Sequence, residues 1–378
     1  MKMFKSPFWK ALGVFGGMII GSGMFALPYA VSVSGIWASI FGMALAFFAV
    51  LSIHFAYGEV VLNTEGRHRL PGYAKLHLGK LAGNFNKITQ IIFFNATLLI
   101  YGVLGGIFLS TIFGRTPFFW TLVFFAVSVA ILFFENIETI GLLNLILTIP
   151  LIAAILLISL ASLSNGSFSN LPTGGGDPFF AFGIFVFALA GLSVIPDAKE
   201  VFKKKEDEPK LKSVIAWGTL VPLVLYVIFI VAVLMAVNGA ISEDAISSLR
   251  GVLGVKIVIL GAVMGFLAVL TSFLVLAYDL KAIYEFDLNM PRIFSWFLGA
   301  LVPVLLFMSG LEDFVKLISV VGGIFIALDS FFVIFILRKL RKTGSGTARF
   351  LPFGPIHQTF LILIFAASII YELVYQIF

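Results

Sequence analysis

Gly16-Gly17-Met18-Ile19-Ile20-Gly21-Ser22-Gly23-Met24-Phe25-Ala26-Leu27-Pro28 lies in the middle of the first long apolar segment of the chain. A membrane-crossing helix should run unbroken there. Yet Gly21-Ser22-Gly23 is a poor helix interior, and Pro28 has no N–H to give. In lipid an unpaired peptide group costs several kcal/mol, so an interruption persists only where protein or a water-filled cavity covers it. The N–H and C=O groups freed at such a break make a site for a small zwitterion or an ion.

The rest of the chain fits a membrane setting. Of its 378 residues 60% are hydrophobic and 12% charged, and the mean hydropathy of +1.10 is outside the range of a soluble domain. Eleven stretches are long and apolar enough to cross a bilayer as helices: 10–31, 35–62, 84–112, 117–134, 139–163, 178–196, 213–238, 254–280, 293–310, 314–338 and 356–377. The expectation is an all-α integral membrane protein, one domain over residues 1–378. The 43 phenylalanines suit core and lipid-facing positions alike and carry no functional signal. With no cysteine there are no disulfides, thiolate metal sites or thiol chemistry. The basic start Met1-Lys2-Met3-Phe4-Lys5 leads into an apolar run without a small-residue cleavage site, so no removable leader is expected.

Basic residues orient the chain. With the N-terminus in the cytoplasm and the C-terminus outside, 21 of the 25 Lys and Arg fall on the inner side. Only Arg115, Arg250, Lys256 and Lys316 fall outside. The net charge of +6 is then a matter of topology and anionic lipid headgroups rather than of nucleic acid.

The sixth segment echoes the first. In Phe182-Gly183-Ile184-Phe185-Val186-Phe187-Ala188-Leu189-Ala190-Gly191-Leu192-Ser193-Val194-Ile195-Pro196, Gly191 precedes Pro196 by five residues, as Gly23 precedes Pro28. An odd number of crossings between the two copies inverts one against the other. Broken helices at matching positions of inverted halves point to the central site of a carrier. The halves are expected at about 8–163 and 178–341, with an extra helix at about 354–377. Gly13, Gly17 and Gly21 also form a small-residue seam for close helix approach, a packing role that needs no Gly-Ser-Gly before a proline.

Three inner connectors carry pattern. Residues 64–83 contain Gly72-Tyr73-Ala74-Lys75-Leu76-His77-Leu78-Gly79-Lys80-Leu81, expected to be a short amphipathic helix at the interface. Residues 197–212 are highly charged, and 342–354 read as a flexible link. Outside, Ile241 to Leu249 reads as a small capping helix with Ser242 as N-cap.

Gly17 to Ala30 resembles the first-helix signature of the amino acid–polyamine–organocation superfamily, with the amino acid/auxin permease-like branch nearest. Tyr57-Gly58-Glu59-Val60 resembles its second-helix motif, and Phe185 through Gly191 to Pro196, then Glu200, the branch's sixth-helix pattern. The resemblance implies the fold first described for a bacterial leucine transporter: two inverted five-helix repeats with discontinuous helices one and six, working by alternating access. It implies a free amino acid as substrate.

Peptide groups at the breaks fit that ligand. N–H groups of Ser22, Gly23 and Met24 suit a carboxylate. Carbonyls of Ile19, Ile20 and of Phe187 to Ala190 suit an ammonium. Glycine at 21, 23 and 191 allows close approach to the backbone. Asn95, Tyr101, Phe187 and Ser193 are candidates for the side-chain subsite, with Asn95 and Tyr101 open to a role as interhelical hydrogen bonds instead. A neutral amino acid is expected, because no deep charge clearly faces the break.

For coupling, Ala268, Thr271 and Ser272 share one helix face in segment eight. The resemblance makes this a Na+ site, completed by carbonyls of Gly17 and Ile20. Sodium-independent relatives often place a segment-five lysine there, and Thr139 to Leu163 has none. Thr271 and Ser272 could equally bond their own helix. The alternative is H+ coupling through His54, Glu59 or Asp329, with Glu59 read by preference as a cap or inner-gate organiser. Asp197, Lys199, Glu200, Glu135 and Glu138 read as gate salt bridges or solvated charges at the inner surface. No His-Glu-x-x-His, Gly-x-Ser-x-Gly or nucleotide-binding sequence is present, and four scattered histidines give no metal spacing. No enzyme activity and no resident cofactor are expected, and the oligomeric state is left open.

Overall fold

The computed structural model describes residues 6–66, 68–134, 137–174, 176–344 and 349–377, with side chains described outside 133–145, 286–287 and 376–377. Among the described residues eleven apolar helical segments, numbered here as spans, follow one another. Span 1 is Pro7–Ile19, a break, a 3-10 turn Ser22–Ala26 and Leu27–Ser34. Spans 2 to 5 are Ile36–Leu62, Lys80–Phe113, Pro117–Phe134 and Ile137–Ser164. Span 6 is Pro178–Ala188, a break, a turn Leu192–Val194 and Ile195–Glu200. Spans 7 to 9 are Leu211–Ala236, Val255–Ala282 and Arg292–Met308. Span 10 is Phe314–Lys342 and span 11 begins as Pro355–Glu372.

Eight of these helices are long and apolar enough to cross a membrane. The two halves of span 1 pass together as a ninth, bent by 42°. Spans 4 and 9 are the shorter apolar helices. Every segment expected from hydropathy is thus a helix, because an apolar stretch in lipid has no other way to pair its peptide groups. Gly35, at φ 77°, turns the chain from span 1 straight into span 2.

The halves of spans 1 and 6 pack on one another at the centre. A Cβ on Gly23 would stand 2.7 Å from the Cα of Ala188, so the two backbones touch only because residue 23 is glycine. Phe25 closes the core on one side of the breaks, edge-on to Phe108 at 4.9 Å and to Phe229 at 6.3 Å. The interfacial helix forms as Leu70–Leu78, burying Leu70, Tyr73 and Ala74.

Two expectations are corrected, and one feature is new. The capping helix does not start at Ser242. Ala245 takes φ 56°, helical turns begin at Ser247, and the Ser242 hydroxyl accepts the Ser248 N–H instead. The link before span 11 is pinned rather than loose where described: the Glu59 carboxylate accepts the N–H of Phe350 at 2.7 Å and of Leu351 at 3.1 Å. Span 10 contains a π-helical turn, Val321–Ile326, that hydropathy gave no sign of. Among the inner charges, Lys199 lies 3.7 Å from both Glu200 and Glu208. Lys2, Lys5, Arg67 and Glu135 lie outside the described residues, as does the side chain of Glu138.

Candidate functional site

The α-helical ladder of span 1 ends where Ile20 N–H donates to Gly16 O, 3.0 Å away. The carbonyls of Gly17, Met18 and Ile19 lie beyond that last bond. The chain then runs extended through Gly21 (φ −147°, ψ −151°) into a 3-10 turn, whose opening N–H groups are those of Ser22 and Gly23. Met24, fully buried, belongs to the turn itself. Span 6 stops with Leu189 N–H on Phe185 O and Ala190 N–H on Phe187 O.

Two side chains hold the breaks together from behind. The Tyr226 hydroxyl of span 7 reaches Ile19 O at 2.5 Å and Ala188 O at 3.1 Å, one hydrogen shared between the two broken ends. His54 Nε2 accepts the Gly191 N–H at 3.1 Å. Its Nδ1 lies 3.1 Å from Thr219 Oγ1, which spends its own hydrogen on Ile215 O. That chain of partners assigns the proton to Nδ1 and leaves the ring neutral. His54, one of the three candidates of the proton-coupling alternative, braces the second break in this arrangement. Tyr226 went unforeseen, since a lone tyrosine in an apolar helix carries no local signal.

A cavity of about 90 Å³ opens between the breaks. Ile19, Gly21, Ser22, Gly23, Tyr101, Phe187, Ala190, Gly191 and Ser193 of the expected set line it. Tyr101 also bonds the Ser22 side chain. Ile20, Met24 and Asn95 are not brought to it. Asn95 instead donates to Ile91 O and to the Tyr284 hydroxyl of span 8, the interhelical reading. The unforeseen part of the wall mixes aromatic and apolar residues, Phe93, Phe94, Leu192, Leu276 and Ile326, with the polar Gln90 and Thr97. From there the cavity extends toward the end of the bundle that carries Tyr57, Arg69 and Leu70. At that mouth Arg69 pairs with Asp279 of span 8 at 2.7 Å.

The same wall includes Asp329, correcting the expectation that no deep charge faces the break. It is 6% exposed and accepts from Asn86 Nδ2 at 3.1 Å and from Gln90 Nε2 at 2.5 Å, with no cation against it among the described residues. Glu59 is the opposite case. Arg341 grips both its oxygens, with Nη2 at 2.6 and 2.7 Å, so it organises the inner end of spans 2 and 10.

The Na+ candidates are partly drawn together. Ser272 Oγ lies 3.9 Å from where a Cβ on Gly21 would stand, so span 8 does meet the first break. Thr271 Oγ1 lies 3.1 Å from both Leu267 O and Ala268 O. Gly17 backs onto Thr148 of span 5, whose hydroxyl lies 3.4 Å from where a Cβ on Gly17 would stand.

Two broken spans five apart, meeting at a shared cavity inside the bundle, define a secondary transporter of the leucine-transporter-type fold. The chain belongs to the tryptophan/tyrosine permease family, whose profile matches residues 5–374. Solved structures agree on the fold. A nucleobase-cation-symport-1 family transporter, Mhp1, closed with bromovinylhydantoin bound, superposes with TM-score 0.67 at 17% identity, over 98% of this chain and 91% of that one. MhsT in complex with L-phenylalanine gives 0.65 at 15% identity, over 96% and 97%. A Na+-coupled sialic acid symporter in a substrate-bound outward-open state gives 0.61 at 13% identity, over 98% and 90%. No curated protein sequence matches the chain.

Proposed function

We propose that this chain carries a neutral aromatic amino acid across the cytoplasmic membrane by alternating access, drawn by a cation gradient. The observation that carries the reading is the shared cavity of the two breaks. Ser22 and Gly23 N–H groups stand on one side for a carboxylate, and the carbonyl ends of spans 1 and 6 on the other for an ammonium. Tyr226 already occupies Ile19 O and Ala188 O, which leaves Ala190, in the cavity wall, as the carbonyl of span 6 best placed for the substrate. Phe93, Phe94, Phe187 and Leu276 supply an apolar, aromatic surface for the side chain. The family and the phenylalanine held by MhsT support the same substrate class.

The N-terminus is cytoplasmic and the C-terminus outside, by the distribution of Lys and Arg. On that orientation the cavity leads inward, with Arg69 and Asp279 at its inner mouth. The halves 8–163 and 178–341 act as the two repeats, and the first-, second- and sixth-helix motifs favour a place for the chain in the amino acid–polyamine–organocation superfamily, nearest its amino acid/auxin permease-like branch.

Sodium at Gly17, Ile20, Ala268, Thr271 and Ser272 is the first reading of the coupling ion, supported by the approach of Ser272 to Gly21. A hydroxyl that donates to its own helix keeps its lone pairs for a cation. The second reading, a proton on Asp329, is favoured by one observation: a carboxylate in the cavity wall with amide donors only. Uptake of L-tryptophan, L-tyrosine and L-phenylalanine into proteoliposomes with an imposed Na+ or pH gradient tests both. Accumulation under a Na+ gradient supports the first, accumulation under a pH gradient alone supports the second, and no uptake of any of the three refutes the carrier.

A further inference from the structure

Glu372, at the outer end of span 11, is fully buried and takes no part in the site described above. Its Oε1 accepts the Ser319 hydroxyl of span 10 at 2.7 Å. Its Oε2 is sealed from solvent and has no hydrogen-bond partner. The carboxyl fills a notch left by two glycines: a Cβ on Gly183 of span 6 or on Gly323 of span 10 would stand 2.8 Å from Oε1. Gly322, in the π-helical turn, abuts the carbonyl of Gly183. Three elements therefore close on one carboxyl group: the first half of span 6, the π turn of span 10 and the end of span 11.

Charges around the notch do not favour an anion. Asp177, the N-cap of span 6, is the charged group that acts on Glu372, and it is negative. On span 10, Asp313 and the exposed Lys316 sit further out, at the helix start, where Asp313 caps the Lys316 N–H. On span 11 the neighbouring Tyr371 stacks on Phe179. No cation lies against Glu372 among the described residues. A carboxylate sealed from water with one hydroxyl donor and no counter-ion is far costlier than the neutral acid.

We propose that Glu372 is a proton-binding site, loaded while spans 6, 10 and 11 are packed together and emptied when they part at the outer face. The proton goes on as the notch closes and leaves to water as it opens, so its occupancy follows the outer half of span 6. Gly183 is one helical turn from Phe187 in the cavity wall, which places the proton site and the substrate site on one rigid half-helix. Its role as a coupling site rests on the carrier reading; its protonation does not.

Infrared difference spectroscopy of the purified full chain at neutral pH tests the protonation directly. The expected result is a carboxylic-acid C=O stretch that Glu372→Gln loses and Asp329→Asn keeps. Identical spectra for wild type and Glu372→Gln overturn the proposal. Coupling is tested in proteoliposomes: Glu372→Gln keeps substrate exchange at equal concentrations and loses pH-gradient-driven accumulation. Accumulation that survives in Glu372→Gln overturns the coupling role, as does loss of exchange and accumulation together in a monodisperse, folded variant. Abolition of a Na+-driven accumulation assigns the notch to a metal cation instead and overturns it too. A wild type that exchanges no aromatic amino acid refutes the carrier reading, while the spectrum still decides the proton.

Discussion

Replacing Tyr226 with phenylalanine removes one oxygen from behind the site and nothing from the cavity wall. That oxygen reaches Ile19 O at 2.5 Å and Ala188 O at 3.1 Å, and these two carbonyls end the two broken helices. Both are buried. Losing a hydrogen bond and leaving its buried acceptor unpaired costs about 1–3 kcal/mol. If the whole of it is felt as misalignment of the breaks, affinity falls about 5- to 150-fold, at 1.4 kcal/mol per factor of ten. Binding of tritiated L-tryptophan to the purified protein measures this, with circular dichroism as the check on folding. A Tyr226→Phe protein that binds and melts like wild type would refute the reasoning, because the breaks would then keep their geometry without the shared hydroxyl.

Alanine at Gly23 meets the Ala188 backbone at 2.7 Å and is expected to cost about 1–3 kcal/mol of stability through overpacking, whereas a Cβ on Gly21 meets nothing nearer than 3.6 Å and leaves the melting temperature unchanged. Breaking the buried Glu59–Arg341 pair by Glu59→Gln strands a guanidinium that is 19% exposed, and a loss of about 3–5 kcal/mol is expected in thermal unfolding, with Arg341→Met less harmful in the double variant than in sequence-blind addition. At the interfacial helix, burial and then the nearby Lys339 push the His77 imidazole below its usual range. A base held neutral in the fold takes up its proton more readily when unfolded, so its contribution is present above the unfolded value of about 6.5 and falls as pH drops through it. Hydrogen-exchange protection of residues 70–79, taken relative to the intrinsic rate at each pH, should therefore fall on mild acidification, and His77→Gln should remove that fall.

The bundle was legible because lipid enforces it: each apolar stretch had to be helical, and only glycine and proline could say where a span stops. Gly21-Ser22-Gly23 and Gly191 with their following prolines said so, and both breaks stand where those residues put them. What could not be read were contacts between distant spans. Tyr226 lies 207 residues from the carbonyl it caps, and His54 137 residues from Gly191. Nothing in their neighbours marks either. Asp329 was visible as an unexplained charge, but its place in the cavity wall depends on the packing of span 10 after a π-helical turn that an apolar Val-Gly-Gly-Ile run does not announce. Asn95 could be read either way from the sequence: a polar residue in an apolar helix is as apt for a neighbouring side chain as for a ligand, and here it donates to Tyr284.

A zwitterion gripped at both ends by peptide dipoles is the core of the account, and ligand editing reads it out in one competition assay. Displacement of tritiated L-tryptophan should be strong with L-tryptophan and roughly 10- to 150-fold weaker with tryptamine, which lacks the carboxylate, and with indole-3-propionate, which lacks the ammonium, since a hydrogen bond to a charged group contributes about 1.5–3 kcal/mol. Equal displacement by all three ligands would contradict it.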